Sequence, residues 1–103
     1  MAKEYARDRH GNEIYITDER WEHICLEHPD MVGYRQHLLE TLRKGKRKQD
    51  ELDPNKYFYT QSFRDLVAPN NHVVVVVKFA HFVNDQGLEE ANNFILTAFQ
   101  NLF

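Results

Sequence analysis

The stretch Val73-Val74-Val75-Val76-Val77-Lys78 decides the fold of this chain. Five consecutive β-branched residues are stiff at χ1 and favour extended backbone over helix. Successive side chains of a strand point to opposite faces, so a run that is apolar at every position asks for cover on both. The run is predicted as the central strand of a sheet, reaching to Phe79. It is far too short to span a bilayer, and no apolar run approaches the roughly 18 residues of a membrane helix.

Moving towards the N-terminus, Pro69-Asn70-Asn71 reads as a turn, and Lys56–Ser62, with Tyr57-Phe58-Tyr59-Thr60, as a second strand. Asp53-Pro54-Asn55 is another turn, and Lys46–Leu52 a polar edge strand. Before it the period changes to that of a helix. Tyr34, Leu38, Leu39 and Leu42 form an apolar stripe from Met31 or Val32 to Lys44, and Gly45 is placed to end it. An earlier helix begins at Thr17, whose hydroxyl suits an N-cap, with Asp18 and Glu19 in its first turn. Its face is Trp21, Ile24, Cys25 and His28, and Pro29 closes it. Residues 3–16 alternate around His10-Gly11-Asn12, with Glu13–Ile16 a short strand or extended lead-in. On the other side of the valines, Ala80–Asn93 is long for a loop and either holds a helical turn at Leu88–Ala91 or is mobile. Phe94–Phe99 is the last strand.

The order predicts an α+β fold: two N-terminal helices packed on a four-stranded antiparallel sheet, with a short hairpin in front, as one domain over 1–103. Two helices cover one face of a sheet. The second face of the valine strand then needs the C-terminus, the long loop or a second subunit.

With 103 residues, 42% of them hydrophobic, the chain has material for one core. One cysteine, Cys25, excludes an internal disulfide framework and fits a reducing compartment, the cytoplasm. Met1 leads into Ala-Lys-Glu-Tyr rather than a secretory leader, so neither export nor membrane attachment is expected. The formal charge of −3 speaks against a generic polyanion binder, yet five of the thirteen cations, Arg43, Lys44, Lys46, Arg47 and Lys48, fall within six residues.

Arg20-Trp21-Glu22-His23-Ile24 leading to Glu27-His28-Pro29-Asp30-Met31 resembles the "H-x-x-I…x-H-P-E-M" opening of phage and toxin-type nuclease domains of the barnase, EndoU, colicin and RelE-like group. Asp53-Pro54 before an aromatic strand, a valine-rich strand ending in Lys78, and Phe94-Ile95-Leu96-Thr97-Ala98-Phe99 follow in the same order. The resemblance spans roughly residues 17 to 99. It implies a RelE/barnase-like scaffold and metal-independent cleavage of RNA, by attack of the 2′-hydroxyl on the adjacent phosphate, without a cofactor. It also implies a toxin held in check by an acidic, antitoxin-like protein.

Such cleavage needs a base for the 2′-hydroxyl, an acid for the leaving 5′-oxygen, and cations for the phosphorane charge. His28, at a helix end, is the first candidate for proton transfer, because imidazole titrates near neutrality. His23, His37, His72 and His81 have weaker claims. Lys78, ending the valine strand, is the charge stabiliser, although a lysine there also reaches water along its own stem. Thr97 and Tyr59 are hydrogen-bonding or positioning groups, against the commoner reading of both as ordinary strand packing. Arg64 and the cluster Arg43, Lys44, Lys46, Arg47 and Lys48 are phosphate-binding candidates, against a reading as helix-end and edge-strand cations. His23-x-Cys25-x-x-His28 gives three ligand types but no closed zinc pattern, so no metal is expected. The competing reading is a catalytically inactive protein- or RNA-binding module, dimeric through an apolar face.

Overall fold

The computed structural model describes residues 2–103. In chain order the elements are β1 (Lys3–Arg7), β2 (Glu13–Thr17), α1 (Asp18–Glu27), a 3₁₀ turn (Pro29–Met31), α2 (Arg35–Lys44), β3 (Lys46–Gln49), β4 (Lys56–Ser62), β5 (His72–Lys78), β6 (His81–Val83), β7 (Glu89–Ala91) and β8 (Asn93–Asn101). Six strands form one sheet in the order β1-β2-β8-β5-β4-β3, with β5 interior; β6 and β7 form a separate two-stranded sheet. All neighbours are antiparallel except β2 and β8, which run parallel.

This corrects the predicted pair of helices on a four-stranded antiparallel sheet. The N-terminal hairpin is no lead-in. Ile14 and Ile16, 0% and 1% exposed, point inward at period two and must join a core. They do so by pairing Ile14 with Asn93 and Tyr15 with Phe94, which makes the sheet mixed. The segment after β5 is likewise no helical turn. Asn84 accepts the N–H groups of Gln86 and Leu88 on its side-chain oxygen, and Gly87 takes φ +76°, so the chain reverses into a hairpin.

Local chemistry also moves the predicted boundaries. Thr17 caps α1 by accepting the Arg20 N–H at 3.1 Å, as its sequence position demands. Gly33 stands at φ +87°, which keeps Pro29–Met31 a separate turn and delays α2 to Arg35. Side chains of Asp50 and Asp53 accept the N–H groups of Leu52 and Asn55, so β3 stops at Gln49 rather than Leu52. Gly45 ends α2 in extended backbone, φ −68°, not in the left-handed region. Its requirement is space: a Cβ there would stand 2.4 Å from the Thr41 carbonyl oxygen and 2.7 Å from that of Thr60.

Both helices pack on the same face of the sheet. Val73, Val75 and Val77 meet Leu38, Leu39, Leu42, Ile24 and Met31 there, together with Tyr59, Ile95 and Ala98. Complete burial of each valine contributes at most about 1.5–3 kcal/mol. Val74 and Val76 point the other way and are still only 3% and 6% exposed. Among the described residues no helix packs on that side. Across the strands they stand opposite Thr60, Phe58, Phe99 and Thr97. Arg35 ties the helical layer together, donating to Glu4 at 3.0 Å and Asp18 at 3.1 Å.

Candidate functional site

Strand alternation sets Lys46, Lys48, Phe58, Thr60, Val74 and Phe99 on the face away from the helices, in register across β3, β4, β5 and β8. Together with Asn101 and Phe103 they line an open groove of 390 Å³. Its floor is apolar and aromatic. Lys46 and Lys48, both exposed, stand at one side on the edge strand.

Two of the aromatic lining residues carry an imidazole. The His28 ring, at the C-terminal end of α1, lies 5.7 Å from Phe99, centroid to centroid. The His72 ring meets Phe103 edge-on at 5.0 Å, and its Nδ1 is 2.7 Å from the Asn71 side-chain oxygen. His72 opens β5 on the same face as Val74, opposite Asn101. The groove thus combines aromatic surface and two ammonium groups, with an imidazole packed against each of two of its aromatic lining residues.

The predicted catalytic residues do not converge here as a set. The His28 ring packs against Phe99 but does not itself line the groove. Lys78 shares the open face but lies opposite Phe94, four residues along β5 from Val74, and is paired with Asp53. That ammonium, with the Asn55 N–H, holds the Asp53 carboxyl below its ordinary range. Thr97 stands between, opposite Val76, with its hydroxyl oxygen buried and unpartnered among the described residues. Lys78 and Thr97 therefore share a face, the point that register alone could decide.

Tyr59 is on the other side of the sheet, 1% exposed, and donates its hydroxyl to Asp8. Burial first, then the Asp8 carboxylate, push its phenol far above the ordinary value. A phenol sealed beneath the helices is a strut, not a substrate contact. Asp8 also accepts the N–H groups of His10 (2.9 Å) and Asn12 (2.8 Å), with Arg47 at 3.7 Å. Burial raises its pKa, but the hydrogen bonds from Tyr59, Asn12 and His10 outweigh that and lower it overall.

The cationic cluster divides between the two faces for the same reason of period two. Lys46 and Lys48 reach the open face; Arg47 turns under the sheet, its guanidinium 4.5 Å from the Tyr57 ring centre and 5.7 Å from that of Phe79. Arg43 and Lys44 are exposed at the end of α2, where Lys44 pairs with Glu40 at 3.0 Å. Arg64 is exposed in the loop after β4.

His72, Phe58 and Phe99 come together on one face in a way the sequence alone does not show. Their signal was parity: each occupies the same strand phase as Val74 and Val76, once the register is known. The His23, Cys25 and His28 triplet scatters, since His23 pairs with Glu27 at 2.9 Å while His28 turns to Phe99. Among the described residues no three His, Cys, Asp or Glu side chains gather as a metal site, and no helix is long and apolar enough to cross a membrane. Comparison with protein-family models, with curated proteins and with solved structures finds no match for this chain.

Proposed function

We propose that the open face of the sheet binds single-stranded RNA and cleaves it without a metal, with His28 and His72 as the proton-transfer pair. The observation that carries this reading is the pairing of an imidazole with each of two aromatic residues lining one groove, beside two lysines. Phe58, Phe99 and Phe103 offer faces on which unpaired bases stack, and stacking tolerates any sequence. Lys46 and Lys48 neutralise phosphates, a term that salt weakens strongly.

The chemistry is that of internal transesterification. One imidazole takes the proton of the 2′-hydroxyl as its oxygen attacks phosphorus. The P–O5′ bond breaks, and the second imidazole, protonated, gives its proton to the departing oxygen. Lys46 offsets the charge that develops on the phosphorane oxygens. Asn101 and Thr60 are placed to orient the sugar or phosphate. Lys78 and Thr97, further along the face, would contact RNA beyond the reacting phosphate. This is the reaction that the resemblance to toxin-type nucleases implies, carried by a different second group. A reducing cytoplasm, where Cys25 stays a thiol, is the matching place of action.

The same lysines and aromatic residues suit an acidic protein, which would occupy the face in place of RNA. The test is incubation of the purified chain with an RNA pool in EDTA from pH 5 to 8. Cleavage is expected with a bell-shaped pH profile, lost in His28→Ala and His72→Ala while both variants stay folded and still bind RNA. Intact RNA across that range, with binding unaffected by Phe99→Ala, would overturn the proposal.

A further inference from the structure

The hairpin β6–β7 departs from the sheet between Lys78 and Asn93 and, among the described residues, pairs as strands only with itself. Every residue of both strands is exposed, and Phe82, Val83 and Leu88 are 48%, 68% and 60% accessible. A two-stranded hairpin with three bare apolar side chains is marginal in water and gains from cover. Its charge has one sign: Asp85, Glu89 and Glu90, without a lysine or arginine between His81 and Asn92.

Register sorts these side chains. Phe82 pairs with Glu90, so the two share one face of the hairpin, and alternation adds Leu88 to them. That face is two apolar groups beside one carboxylate. The groove of the main sheet is its complement: Phe58 and Phe99 beside Lys46 and Lys48, cations that make no ion pair among the described residues. Arm and groove are set apart along the strands. The groove centres on the row Thr60–Val74–Phe99, and the arm leaves four residues later at Lys78, about 13 Å away at the rise of a strand.

We propose that the chain dimerises by reciprocal docking of this arm. Phe82 and Leu88 of each copy enter the groove on the open face of the other, and Glu90 meets Lys46 and Lys48. A two-fold axis that sets the two sheets antiparallel brings each arm to the partner's groove, and one contact then generates its twin. The occupant of the face is thereby a second copy of this chain. The docking rests on reading the open face as a ligand-binding surface, not on RNA being its ligand. Where RNA does bind there, arm and RNA exclude each other, so activity per chain falls as concentration rises.

Light scattering on a sizing column, over a concentration series without RNA, tests the docking directly. A dimer is expected that Phe82→Ser with Leu88→Ser converts to a monomer still folded by circular dichroism. Glu90→Lys should weaken it about tenfold, as should Lys46→Glu with Lys48→Glu, and combining the three reversals should restore it. A monomer at every concentration, or a dimer that the arm variants leave intact, would overturn the inference. RNA cleavage is measured separately on the monomeric arm variant: its absence there counts against the RNA reading alone, and its presence in a chain that never dimerises counts against the arm alone.

Discussion

Tyr59 offers the sharpest test of how the two sides of the sheet are divided. Tyr59→Phe removes one oxygen and leaves the packing volume of the ring, so no cavity term enters. What is lost is the hydrogen bond to Asp8, whose side chain is 1% exposed and for which water is no ready substitute. A hydrogen bond to a buried charged group is worth about 1.5–3 kcal/mol. Three other donors remain on Asp8, the N–H groups of His10 and Asn12 and the Asn12 side-chain amide, which keeps the expected loss near 2 kcal/mol rather than at the full cost of a stranded carboxylate.

The sign of the pH dependence follows from the direction of each shift. Asp8 has a folded pKa below its unfolded value, so its contribution is present above roughly pH 4 and fades as pH falls through the folded value. The variant lacks one of the bonds that lower that pKa and loses less on acidification, so the gap between the two proteins narrows towards pH 3. Tyr59 has a raised pKa, and its contribution is present below roughly pH 10 and fades above it. Urea unfolding followed by Trp21 fluorescence at pH 3, 5 and 7 reads the effect. A loss under about 0.5 kcal/mol at pH 7, or the same loss at pH 3, would refute the strut. Unchanged RNA cleavage by the folded variant is expected too; its abolition would return Tyr59 to the catalytic group.

Gly45→Ala should destabilise by about 1–3 kcal/mol, because two backbone carbonyl oxygens have to move, and a thermal melt lowered by more than about 4 °C checks it. Lys78→Ala breaks a pair with a third of each side chain in water, so it should cost less than about 1 kcal/mol in urea unfolding, and in EDTA it should weaken RNA binding without abolishing cleavage of bound RNA. His37 is held between the Tyr34 and Phe63 rings at 4.8 Å from each and bonds Asp65 at 2.9 Å. His37→Ala should therefore speed amide hydrogen exchange across the loop 63–71 while leaving β5 protected.

Local patterns in the sequence identify elements well here and neighbours poorly. Thr17, Pro29, the stripe Leu38-Leu39-Leu42 and the valine run each specify their own backbone through capping, sterics or period, and each stands where those forces put it. Nothing in Glu13–Thr17 says that it will lie parallel to Asn93 and Phe94, some eighty residues away, since a strand carries no address for a parallel partner. The same missing information governed the site. Parity alone puts Tyr57 with Tyr59 and Phe58 with Thr60; only pairing with Val75 and Val76 reveals which pair goes beneath the helices. Tyr59 and Phe58 differ in face, and only the register tells them apart. The bulge between Val76 and Val77 deepens the difficulty, because it sets Leu96 outside the pairing and shifts the phase of β8 midway. Thr97 and Phe99 reach the open face only beyond that shift, so no alternation counted from Phe94 could have put both there. The place of His28 at the end of α1 was legible because a helix end and a proline fix it locally. His72 was not, because its claim depends on Phe103 and Asn101 arriving beside it from the end of another strand.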